Sequence, residues 1–102
     1  MFSHIALPIQ EIKKLKQACD EVIKLDINKE QKNLVCVFRR YLIDRIQNHI
    51  VGLSDELRLD SEFINDMFFT IDKIYILNPN ISGVIKLLSF FKKHKIDKQY
   101  EF

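Results

Sequence analysis

An all-α fold, an antiparallel four-helix bundle made of two helical hairpins, is what this sequence predicts. Three observations predict it. Apolar residues recur at spacings of three and four in four separate segments. Glycine and proline number only two each, too few for sandwiches or barrels built from many short strands. The links within each pair of segments are short, about two or three residues, which makes the flanking helices antiparallel neighbours.

The first stripe is Ile5, Ile9, Ile12, Leu15, Cys19 and Val22, with Lys13, Lys14, Lys16, Gln17, Asp20 and Glu21 on the solvated side. Pro8 cannot sit deep in a helix, so it belongs to the first turn and the helix spans about 8–25. Asn28 followed by Gln31 reads as a capping box. Val35, Phe38, Leu42, Ile46 and Ile50 then form a second stripe, widened by Leu34, Val37 and Tyr41. That places a second helix at about 29–50, with Gly52 as its stop.

Residues 53–60 read as a connection, with at most one short turn after Ser54. Asp60 is the next N-cap candidate, with Leu59 and Ile64 at staple positions. Phe63, Ile64, Met67, Phe68, Ile71, Ile74 and Tyr75 carry a third helix over about 61–76, although residues 73–77 are also rich in strand formers. Asn78-Pro79 signals a helix start, so a fourth helix is expected at about 79–95. Lysines at its end complement the helix dipole. The chain is thus expected to be a single helical domain over 1–102, with hairpins at 8–50 and 61–95 and a frayed tail at 97–102. The two halves share an apolar pattern at an offset of fifty, from Asn28 and Asn78 through Ile46 and Ile96.

Composition limits function more than it defines it. An apolar fraction of 47% supports a folded core. The net charge of +2 is small for a non-specific nucleic-acid binder, so nucleic acid is an unlikely partner. Acidic residues from Asp55 to Asp72 and lysines from Lys86 to Lys98 give the chain an acidic and a basic end. No apolar run is long enough to span a membrane, and no signal-peptide pattern opens the chain, so a cytoplasmic location is expected.

Catalytic signals are missing. His4, His49 and His94 lack zinc spacing, and no phosphate-binding glycine loop or nucleophile elbow is present. Arg45 and His49 stand one turn apart, closer than the arginine–histidine pair of HEPN-type ribonucleases, so that resemblance is not met. Glu62 and Asp66 resemble half of a carboxylate metal site but have no evident partners on a facing helix. Cys19 reads as a packed small hydrophobe and Cys36 as part of a more polar strip.

The expected function is therefore protein–protein interaction without catalysis, metal or cofactor. Such a module would act as an adaptor, inhibitor or immunity-type protein. A partner protein or peptide, or a second copy in a homodimer, would lie in an apolar groove between the hairpins. The expected contact residues are Phe69, Phe90, Tyr75 and Gly83; Phe69 and Phe90 stand off the main stripe of their helices. The alternative is nucleic-acid binding through a basic patch of Arg39, Arg40, Arg45, Lys92, Lys93 and Lys95.

Overall fold

The computed structural model describes residues 1–95, so the expected tail at 97–102 lies outside the described residues. The chain runs β1 (Phe2–Leu7), α1 (Ile9–Ile23), α2 (Lys29–Gln47), β2 (Asp55–Asp60), α3 (Ser61–Leu77) and α4 (Ser82–His94). Four helices dominate, but β1 and β2 form a two-stranded antiparallel sheet. The fold is mixed α/β, and the all-α expectation is corrected.

Both strands lie where the sequence was read as helix lead-in or connection. Ile5 matches a helical spacing to Ile9, which hid the alternation of Ser3, Ile5 and Leu7 with Phe2, His4 and Ala6. Leu7 also precedes a proline, which disfavours helical backbone there. Pro8 is itself extended, with φ −62° and ψ 150°, and sits at the N-cap rather than in the first turn. Glu56, Leu57, Arg58 and Leu59 alternate with a period of two, as a strand with one wet face should. Ile5, Leu57 and Leu59 are buried beneath the sheet. On its outer face Arg58 lies 4.4 Å from the centre of the Phe2 ring, and His4 pairs with Glu56.

The helices largely meet expectation. Asn28 closes the capping box: its Oδ1 accepts from the Gln31 amide at 2.8 Å, and Gln31 Oε1 accepts from the Asn28 amide at 3.1 Å. Helix α2 ends at Gln47, short of residue 50, and Gly52 serves a turn at φ 91°, a left-handed conformation that favours glycine. Residues 73–77 are helical, inside α3. Asn78 does not start α4. It closes α3, its side-chain nitrogen donating to the Ile74 carbonyl at 3.0 Å. Pro79 and Asn80 form a turn, and α4 begins three residues later than expected.

The core shows that the element order is a βαα unit used twice. Ile5, Ile12, Leu15, Cys19 and Val22 correspond at 52 positions to Leu57, Ile64, Met67, Ile71 and Ile74, all buried. Val35, Phe38 and Leu42 correspond at 49 positions to Val84, Leu87 and Phe91, again all buried. The expected uniform offset of fifty falls between these two values, because Val84 follows Ile74 by ten residues whereas Val35 follows Val22 by thirteen. Strand pairing obeys the same relation. Ile5 pairs with its own counterpart Leu57, and Ser3 and Leu7 pair with Leu59 and Asp55, each the counterpart of the other. That is the register of a local twofold axis through the sheet.

The helices break this symmetry. α1 packs closely on α4, whereas the equivalent contact of α3 with α2 is slight. A Cβ on Gly83 of α4 would stand 2.8 Å from the Ala18 carbonyl oxygen and 2.9 Å from Glu21 Cβ. The counterpart of Gly83 is Leu34, which is half-buried against the core. Phe38 of α2 has its ring centre 4.9 Å from that of Phe91, 6.1 Å from Phe90 and 6.2 Å from Phe63.

Candidate interaction surface

Ile64, Met67, Ile71 and Ile74 turn one side of α3 into the core. At 3.6 residues per turn, Phe69 and Ile76 fall on the opposite side. They are exposed to 60% and 69%, and the adjoining Leu77 to 81%. Between Phe69 and Ile76 stand Asp72 and Lys73, neither with an ion-pair partner among the described residues. The outer face of α3 therefore combines bare apolar mass with two uncompensated opposite charges. Phe68, its neighbour, is not part of this bare face: Lys95 Nζ lies 4.6 Å from the centre of its ring.

The other expected contact residues are placed differently. Phe90 is half-buried: its ring packs against Phe38, Phe91 and His94 and also lines a depression on the α1–α4 seam. Tyr75 is half-buried and packs on the core. Gly83 is buried at the α1–α4 crossing, where it meets the partner helix inside the chain. The four residues thus do not form one site. Two depressions of mixed lining follow the α1–α4 seam, one with Lys14, Gln17, Ala18, Glu21, Ser82 and Gly83 and the other with Leu7, Leu15, Phe90 and His94, and Lys86 Nζ bonds Glu11 Oε2 across the seam at 2.8 Å. The Lys86 ammonium holds the Glu11 carboxyl below the usual carboxylate range.

The basic residues are also dispersed. Arg39 Nε donates to Asp20 Oδ1 at 2.5 Å, and Lys16 Nζ lies 2.7 Å from Asp20 Oδ2. Partial burial pushes the Asp20 carboxyl up, but the bonds and charges of Lys16 and Arg39 outweigh it and leave it lowered. Arg40 is exposed. Arg45 bonds Asp44 and lies 5.9 Å from the centre of the Tyr41 ring, with its Nε buried and unpartnered. Lys92, Lys93 and Lys95 are exposed at the end of α4. Burial, with help from Lys93, lowers the pKa of His94 beside them.

Two features escaped sequence reading. His49 Nδ1 lies 2.5 Å from Asp55 Oδ2, and both side chains are mostly covered. This pair clips the end of α2 to the start of β2 and has no sequence signature, because its partners meet across a loop. Ile76 and Leu77 are readable as apolar residues beyond the last core position of α3, but their exposure depends on what packs opposite them. Cys19 and Cys36 are free thiols; burial pushes Cys19 up to about 12. No group of three or more His, Cys, Asp or Glu among the described residues is placed to hold a metal ion. None of their helices is long and apolar enough to cross a membrane.

Fold and surface together define a small chain of two βαα units with a bare apolar face on its third helix. No protein-family model, no curated protein and no solved structure matches it.

Proposed function

We propose that the protein is a non-catalytic interaction module of the cytoplasm, and that it binds a partner helix on the outer face of α3. The observation that carries this reading is the exposure of Phe69, Ile76 and Leu77 around Asp72 and Lys73. A solvated helix gains nothing from apolar residues on its outer side, whereas a docked helix buries them. The free thiols suit a reducing compartment.

The occupant we favour is a second copy of the chain. Two α3 helices laid antiparallel about a twofold between residues 72 and 73 set Phe69 against Ile76 of the other copy. The same axis sets Asp72 against Lys73 in both directions, so the face complements itself as an isologous contact requires. Sedimentation equilibrium tests this. The expected result is a concentration-dependent dimer, lost in Asp72→Lys and in Lys73→Asp and restored in the double swap. A chain that stays monomeric up to about 1 mM, or a double swap that fails to restore association, refutes it.

A further inference from the structure

A second surface feature is independent of α3. Between α1 and α2 lies a cavity of about 440 Å³, lined by Lys13, Lys16, Gln17, Arg39, Ile43, Ile46 and Gln47. Its volume falls within the range of small-molecule sites, about 300–1,000 Å³. Lys13, Lys16 and Arg39 supply three positive charges. The one carboxylate engaged with them, Asp20, takes one bond from Lys16 and one from Arg39. The cluster therefore keeps an excess of two positive charges.

Asp20 also orients the cations. It occupies the Nε of Arg39, which leaves both Nη groups without a hydrogen-bond partner among the described residues. A guanidinium held this way offers a fork of donors to a tetrahedral anion. Lys13 is exposed at the same rim, with no ion-pair partner among the described residues. Ile43 and Ile46 add apolar wall, and Gln17 and Gln47 add amide donors and acceptors. A bare inorganic anion would use the cations and leave that wall unused.

We propose that this cavity binds a phosphorylated small molecule. Its phosphomonoester sits on Lys13, Lys16 and Arg39, and its apolar body lies against Ile43 and Ile46. A phosphomonoester carries close to two negative charges at neutral pH, which matches the excess. An extended nucleic acid is disfavoured as the source of the phosphate, since the chain's net charge is only +2.

Phenyl phosphate is a suitable probe, with inorganic phosphate and phenol as its two halves. Each is titrated into the ¹⁵N-labelled full chain at pH 7.5, and amide shifts are followed by NMR. The expected result is saturable shifts at Lys13, Lys16, Gln17, Arg39 and Ile43, with phenyl phosphate bound at least tenfold more tightly than either half. Binding weakens with added salt. Lys13→Ala weakens it severalfold and Lys13→Glu at least tenfold, with the melting temperature of each variant unchanged. Equal affinity for phosphate and phenyl phosphate shows a counter-ion patch only and overturns the proposal. So does binding that ignores the charge reversal, or shifts that map elsewhere.

Discussion

Replacing Gly83 by alanine separates two physical effects of opposite sign. Inside a helix, alanine is favoured over glycine by about 1 kcal/mol, so propensity alone predicts a more stable protein. The tertiary structure predicts the reverse. The added methyl collides with Glu21 Oε2 and meets the Ala18 carbonyl oxygen at 2.8 Å and Glu21 Cβ at 2.9 Å. The carboxylate can swing aside, at the loss of the Ser82 hydroxyl bond at 3.1 Å. The Ala18 carbonyl cannot, because it belongs to the backbone of α1. The helices must separate by several tenths of an ångström, loosening Val84 and Leu87 in the core. Overpacking of this kind costs about 1–3 kcal/mol. Against the propensity gain, Gly83→Ala should lose about 1 kcal/mol net, which lowers the melting temperature by roughly 4–8 °C in a domain of this size. Urea unfolding measures it. Adding Glu21→Ala removes the carboxylate but keeps the carbonyl and Cβ contacts, so it should not restore stability. A gain of about 1 kcal/mol in the single variant, or full rescue in the double, would refute the close-contact argument.

Leu57→Ala should cost about 2–5 kcal/mol by urea unfolding, because it empties a fully buried site beneath the sheet; a loss below about 0.5 kcal/mol would remove the strands from the core. Asn28→Ala should cost about 1 kcal/mol through the lost capping box, and Asn78→Ala clearly less, since Asn78 caps no helix start. Thiol reagent should label Cys36 in the folded protein and reach Cys19 only on unfolding. Unfolded Cys19 loses its proton near 9.0 while the folded thiol keeps it to about 12. The folded state therefore binds the extra proton in that window, and stability falls as pH rises through it. The slope approaches about 1.4 kcal/mol per pH unit and should be absent in Cys19→Ala.

The helices were legible because each carries its own periodicity and, in α2, its own cap. Asn28 and Gln31 form the capping box with no help from tertiary structure. The strands were not legible, because six residues with two inward apolar side chains give a weak signal. In β1 that signal was overwritten when Ile5 fell in step with Ile9. Asn78-Pro79 misled for a related reason: an asparagine can satisfy a helix end as well as a helix start, and the local sequence does not say which. Of the candidate contact residues, Phe69 was found from its position opposite the stripe of α3. Phe90 stands off its stripe too, but part of its ring packs against Phe38 of α2.

By itself the sequence determined the four amphipathic helices, their order and their antiparallel pairing, since these follow from periodicity and short links within the chain. Only the tertiary structure decided that Phe2–Leu7 and Asp55–Asp60 pair, that the chain is two βαα units, and which apolar residues stay bare. The physical reason is range. A strand is completed by hydrogen bonds to a partner some fifty residues away, and exposure depends on what packs opposite. Gly83 lets α4 lie against α1, whereas the equivalent contact of α2 with α3 is slight.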